Sequence, residues 1–269
     1  MPGVVNSLKM KCLSVKQINQ YKQDGFLLVK NVFPRSICNA YKKLLMKEIK
    51  KGKKIWEKHN NKKITHNANK IADIPRGINE GILQDIAHRN SKFMKLVKST
   101  RLKILIGQIF GKNVKSYRLY LSTSVFKSKD VLSKTEYHQD MPFWKGKSNK
   151  FSAWISLNKV TKKSGSMCYI PGSHKKKIRK YVKIKGYGHK QKSFFKCDNV
   201  DPSKRVIVET EIGDVIIHHT KIIHGSEENI LKKDRFALVF TYQPGTDTSH
   251  HRNGPAVLIK KSKLLNNYI

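Results

Sequence analysis

Apolar positions recur at helical steps through the first 110 residues and then change to short, dense runs, so the chain divides into a helical part and a β part. Ser14-Val-Lys-Gln17 has the form of a capping box, opening a short helix that Asp24-Gly25 closes before the apolar strand FLLVKNVF, residues 26–33. Pro34 and Ser36 mark a second helix: Ile37, Ala40, Tyr41, Leu44, Leu45 and Ile49 fall three or four apart, and Gly52 is expected beyond its end. Residues 53–90 are polar and weakly periodic and read as loop, with a short helix around Gly81 to His88. From Ser91 to Phe110 the apolar spacing predicts one further helix, stopped by Gly111.

Beyond Gly111, β-branched and aromatic runs between turn residues predict strands over 114–127, 151–157, 166–170, 206–210, 214–218 and 235–243. Helices do not alternate with these strands, which excludes a doubly wound parallel sheet. The expected fold is mainly β with flanking helices, a sandwich or jelly roll. One domain over 1–269 is expected, with a helical part over about 14–110, a β core over about 111–245 and a polar tail over 246–269.

Charge adds a second layer. The 56 Lys and Arg against 18 Asp and Glu give a net charge of +38, which attracts anions and repels like-charged surfaces. AT-rich coding DNA would also enrich Lys, Asn and Ile. Cys12, Cys38, Cys168 and Cys197 have no CxxC spacing, which argues against a zinc site or a disulfide framework and for a reducing cytoplasm. No apolar run reaches the roughly 18 residues of a membrane span. A cytoplasmic monomer is expected.

Candidate chemistry starts in TEYHQDMPFW, residues 135–144. In an extended strand His138 and Asp140, two apart, point to one face. Two ligands cannot fill a metal's coordination sphere, and His224, in GDVIIHHTKIIHGSEEN, is the best third. Two imidazoles and one carboxylate on one face of an octahedron leave three open positions, the arrangement of non-haem Fe(II) oxygenases. Arg235, 11 residues after His224 and opening the apolar run FALVFTY, has the planar fork that binds a carboxylate bidentately.

His138-Gln-Asp140, then FSAWISLNKVTKKSGSMCYIPGSH (151–174), Gly213-Asp214, His224-Gly-Ser226, Asn229 and Arg235, in that order, closely resemble the phytanoyl-CoA dioxygenase family. The similarity runs from about Leu13 to Pro244. It implies a double-stranded β-helix (jelly-roll) core with Fe(II) held by His138, Asp140 and His224. By the same match Arg235 pairs with the distal carboxylate of the cosubstrate 2-oxoglutarate, and Ser226 and Trp154 line its pocket. Dioxygen is the other cosubstrate, and succinate and CO2 are released. Halogenating relatives replace the carboxylate ligand with a small residue; Asp140 keeps it, so hydroxylation is the expected outcome.

The remaining histidines read as supporting residues. Alternation points one of His218 and His219 inward, to pack or to hold a neighbour; His174 ends the turn IPGSH; His250 and His251 fall in the polar tail. Between Met141 and Cys197 there are 16 Lys or Arg and no acid, a departure from the family pattern. If the run KKKIRKYVKIKGYGHK, 175–190, rims the pocket, it favours an anionic or carrier-linked substrate. Two other readings are an oxidative nucleic-acid demethylase, suggested by the net charge, and a jelly-roll binder without catalysis. No nucleic-acid module is recognisable, and the intact His138, Asp140, His224 and Arg235 set argues against the binder.

Overall fold

The computed structural model describes residues 12–59, 78, 81–127, 134–146, 148–184, 194–231, 233–249 and 257–261. Helix α1 (Val15–Asp24) opens on the expected box: the Ser14 hydroxyl accepts from the Gln17 N–H at 3.2 Å, and the Gln17 side chain accepts from the Ser14 N–H at 2.9 Å. Gly25, at φ 84°, closes it. Strand β1 (Phe26–Val29) is shorter than predicted because Asn31 turns the chain at φ 55°, its N–H bound to the Asp214 carboxylate at 2.8 Å.

Helix α2 (Arg35–His59) runs through Gly52, correcting the stop expected there. A glycine inside a helix costs about 1 kcal/mol relative to alanine, and Trp56, packed against the same core as Leu45 and Ile49, carries the helix past it. The single helix predicted over 91–110 is two. After the one-turn α3 (Ile86–Arg89), α4 (Ser91–Val97) and α5 (Thr100–Phe110) are separated at Lys98–Ser99, where Ser99 is extended. The backbone makes the junction: the Ser99 N–H turns back to the Leu96 carbonyl at 3.0 Å, and the Ser99 carbonyl opens α5 by accepting from the Lys103 N–H at 2.9 Å.

The later strands are, in chain order, β2 (Ile82–Gln84), β3 (Ser116–Lys127), β4 (Thr135–His138), β5 (Phe151–Ser156), β6 (Met167–Tyr169), β7 (Tyr181–Ile184), β8 (Phe194–Cys197), β9 (Val206–Val208), β10 (Val215–His219), β11 (His224–Ser226), β12 (Arg235–Pro244) and β13 (Val257–Lys260). One antiparallel sheet runs β1-β10-β5-β12-β3-β13, with β2 also on β3; a smaller one runs β4-β11-β6-β9; β7 and β8 form a hairpin. This is the expected jelly-roll core. All three stretches distinguished in the sequence supply strands to the large sheet.

Strand alternation divides the large sheet into two buried faces. Phe236, Leu238, Phe240 and Tyr242 of β12 join the helices in one apolar cluster, while Ala237, with Trp154 and Ile216 of its neighbours, joins a second cluster that includes Met167 and Tyr169 of the small sheet. Both faces are covered, which is why these strands read as continuous apolar runs rather than as alternation. Arg235 and Thr241 share the second face with Ala237, so polar groups enter the space between the sheets.

The polar tail expected over 246–269 is partly built into the fold. Val257–Lys260 pairs with β3, and the Asp247 carboxylate bonds the Lys150 ammonium at 3.0 Å, the Ser249 N–H at 2.9 Å and the Ser148 hydroxyl. Lys150 is almost fully buried. The clasp fixes the loop after Asp140, which carries Phe143 and Trp144. His250, His251, most of 53–80 and residues 185–193 of the basic stretch lie outside the described residues.

Candidate metal centre

β4 and β11 are antiparallel neighbours, and their register sets His138 directly opposite His224, ring centroids 4.3 Å apart. Asp140 arrives differently from the strand geometry expected. β4 ends at His138, and Asp140 is helical in backbone (φ −72°, ψ −38°), its N–H and that of Met141 both donating to the Thr220 carbonyl, at 3.0 and 3.1 Å. This turn, rather than a continuous strand, brings Oδ1 to 3.6 Å from His138 Nε2 and Oδ2 to 3.9 Å from His224 Nε2. One ligand atom from each residue lies within 4.8 Å of the other two.

The tautomers follow from the backbone. His138 Nδ1 lies 2.8 Å from the Glu136 carbonyl, and His224 Nδ1 lies 3.0 Å from the Ile222 carbonyl. A carbonyl only accepts, so each Nδ1 carries the proton and each Nε2 turns a lone pair into the cluster. Burial disfavours the Asp140 carboxylate, but the two imidazoles beside it, His224 and then His138, outweigh that and hold the carboxyl down at about 2. His224 is pushed down to about 4 by burial and by His138, against the pull of Asp140. Burial opposes the charged form of His138 too, yet the negative Asp140 beside it moves it upward overall. Two neutral imidazoles and one carboxylate, open on one side, suit a divalent first-row ion such as Fe(II).

That open side faces a cavity of about 350 Å³ between the sheets, lined also by Ser226, Trp154 and Arg235. Arg235 is 1% exposed. Among the described residues its Nε and Nη2 have no hydrogen-bond partner; Nη1 lies 3.5 Å from the Val125 carbonyl, and Cζ stands 5.4 Å from the Trp154 ring centre. Burial depresses its pKa to about 9. Its register partner Lys127 is buried as well, donating to the Glu227 carbonyl at 2.6 Å; burial, then the Arg235 charge, drive the Lys127 amine down to about 6. A buried guanidinium with two unmet donors is costly unless an anion completes it, and a carboxylate matches its fork.

The structure thus gathers all six candidate residues on one cavity. His218 points inward and lines it, its Nδ1 3.2 Å from the Tyr169 hydroxyl, and burial and the charge of His224 push it down to about 3. His219 packs outward against His174, ring centroids 5.4 Å apart. Among the described residues, Arg235 is the only Lys or Arg on the cavity wall. Lys176, Lys177 and Arg179 line a separate hollow of about 160 Å³. The basic stretch reaches the mouth indirectly: Phe143, on the wall, packs edge-on against Tyr181 at 5.0 Å and on Phe195 at 5.8 Å.

Gln139 is the residue that sequence reasoning passed over as a spacer. It is fully buried: Oε1 accepts from the Arg179 N–H at 2.9 Å, Nε2 donates to the Lys221 carbonyl at 2.6 Å, and its backbone carbonyl accepts from the Tyr181 hydroxyl at 3.0 Å. It ties the metal-ligand turn to the β7-β8 hairpin. Only the position between the two ligands could have flagged it. Lys127 carries no sequence signal either, being one lysine among many.

An open-sided nitrogen and oxygen donor set that faces a receptor for a carboxylate places the protein among the non-haem oxygenases that consume a keto acid. The chain belongs to the phytanoyl-CoA dioxygenase (PhyH) family, whose model matches residues 21–237. It is 26% identical over 238 residues to a probable phytanoyl-CoA dioxygenase of Caenorhabditis elegans, covering 86% of this chain and 75% of that one. It is 24% identical over 240 residues to the peroxisomal phytanoyl-CoA dioxygenase of Homo sapiens, covering 86% and 69%. In fold it is similar to EvdO2 from Micromonospora carbonacea var. aurantiaca, solved in complex with 2-oxoglutarate, with a TM-score of 0.61, 18% identity and coverage of 88% and 93%. No helix among the described residues is long and apolar enough to cross a membrane.

Proposed function

We propose that the protein is an Fe(II)- and 2-oxoglutarate-dependent hydroxylase of a small-molecule or carrier-linked substrate, releasing succinate and CO2. His138, Asp140 and His224 hold the iron; Arg235 takes the distal carboxylate of the keto acid, with Ser226 and Trp154 beside it. The observation that carries this reading is the Arg235 guanidinium, buried with two free donors on the cavity that the three metal-ligating atoms face. When bound, iron with 2-oxoglutarate and dioxygen supplies the oxidising power for C–H hydroxylation.

The chain supplies binding and exclusion of water. Phe143, Trp144 and Leu121 give the cavity an apolar wall on which the reacting part of a substrate is oriented. Among the described residues no lysine enters this wall, which favours an uncharged reacting portion. The cationic hairpin stands at the mouth, behind Phe143, and suits an anionic handle left outside. A coenzyme A thioester, the substrate for which the nematode and human relatives are named, divides in this way.

The test is anaerobic addition of Fe(II) and 2-oxoglutarate. A weak visible charge-transfer band should form, and Asp140→Ala should abolish it. An unaltered protein that gives no band would overturn the reading. Succinate release across thioesters, amino acids and phosphorylated compounds then identifies the substrate class, and turnover indifferent to salt would remove the hairpin from the account.

A further inference from the structure

The interior imidazole of His218 is neither one of the three metal-ligating groups nor a partner of Arg235. It is 2% exposed, it lines the cavity, and its ring lies 5.0 Å, centroid to centroid, from that of the ligand His224. β10 holds it there through ladder pairs with Phe26 on one side and Ser152 on the other. Its Nδ1 is 3.2 Å from the hydroxyl of Tyr169, a side chain with no exposed surface.

Two tautomers are possible, and they differ in what they leave unmet. If Nδ1 carried the proton and donated to Tyr169, the phenolic proton would be sealed in the protein with no acceptor among the described residues. If Tyr169 donates to Nδ1, the phenol is satisfied and the imidazole proton sits on Nε2, the nitrogen left to the cavity. An unmet donor inside packed protein carries the full desolvation cost, whereas one on a cavity is met by water or ligand. The second tautomer is therefore preferred.

We propose that His218 is a hydrogen-bond donor to the metal-held carboxylate of the keto acid, with Tyr169 as the positioning residue that fixes its tautomer. This rests on the reading of the site as a 2-oxoglutarate enzyme. Arg235 serves the distal carboxylate, so the carboxylate at the metal needs its own donor. A neutral N–H packed against a ligand imidazole supplies one without competing for the metal through charge.

The experiment is equilibrium binding of 2-oxoglutarate to the Fe(II) protein without oxygen, followed by the charge-transfer band, in the unaltered protein and in His218→Phe, Tyr169→Phe and the double variant. Metal affinity is measured separately with Co(II) alone. His218→Phe should weaken 2-oxoglutarate binding by roughly tenfold or more and shift the band, because a hydrogen bond to a charged acceptor is lost. Co(II) affinity should stay within about twofold. Tyr169→Phe should weaken binding less, and its effect should vanish in the His218→Phe background, which a packing role would not predict. No band in the unaltered protein would sink the keto-acid reading itself. A normal band whose position and affinity are unchanged in His218→Phe overturns the role of His218 alone. If His218→Phe does not fold, Tyr169→Phe decides: unchanged binding there refutes the proposal.

Discussion

The cavity's two walls handle polar burial in opposite ways. On the small-sheet side, every imidazole of the metal cluster has its outer nitrogen bonded to a backbone carbonyl, and the one carboxylate lies between two rings. On the large-sheet side, Arg235 and Lys127 are buried side by side, and among the described residues no carboxylate meets the guanidinium. The first wall needs only its metal ion and nothing from the keto acid. The second is completed only by an anion, so binding of the keto acid and stability should be coupled through that wall.

The most damaging test of this contrast is Asp140→Ala, which leaves two imidazoles without their charge partner. We expect complete loss of the charge-transfer band and of succinate release. Next, Arg235→Met should weaken 2-oxoglutarate by roughly a hundredfold, the scale of a lost bidentate charge pair. Unlike Asp140→Ala, it should leave Co(II) binding intact and raise the ligand-free melting point, since a lone buried charge is removed. A lower ligand-free melting point would break the comparison.

Lys150 offers the control, because this buried cation does have its anion. Asp247→Ala should cost about 3 kcal/mol in chemical denaturation, as expected when a buried pair loses one member. The smallest effect concerns Lys127. Its amine titrates near 6 in the folded chain against an ordinary value of 10.5. Between those values the unfolded chain holds a proton that the folded one does not, so this group makes stability rise with pH across that window, by at most about 1.4 kcal/mol per unit. Lys127→Met should flatten the dependence measured between pH 7 and 9. An unchanged slope would show that Lys127 stays charged in the fold.

Much of this was legible in the sequence, and the rest was hidden for physical reasons. The strands with both faces covered announced themselves as apolar runs, and His138, Asp140, His224 and Arg235 stood out because few residue types bind a metal or a keto acid. What failed was local geometry. The period-2 argument aimed His138 and Asp140 at one point, but a turn held by the Thr220 carbonyl does so, and no sequence pattern reveals a distant carbonyl. Gly52 was read as a stop because backbone preference was weighed without the packing of Trp56, which outweighs it. The tail strand Val257–Lys260 went unforeseen because four residues are too few to show alternation.

Gln139 has a last consequence. The hairpin beside the cavity mouth hangs on a neutral amide, which grips one backbone N–H of the hairpin arm, while Tyr181 supplies the hydroxyl that meets the Gln139 main chain. Among the described residues, no lysine side chain takes part in that grip. Their number and order are therefore free to drift across generations without disturbing the iron ligands, so that the entrance can be retuned for new molecules while the reaction centre is inherited unchanged.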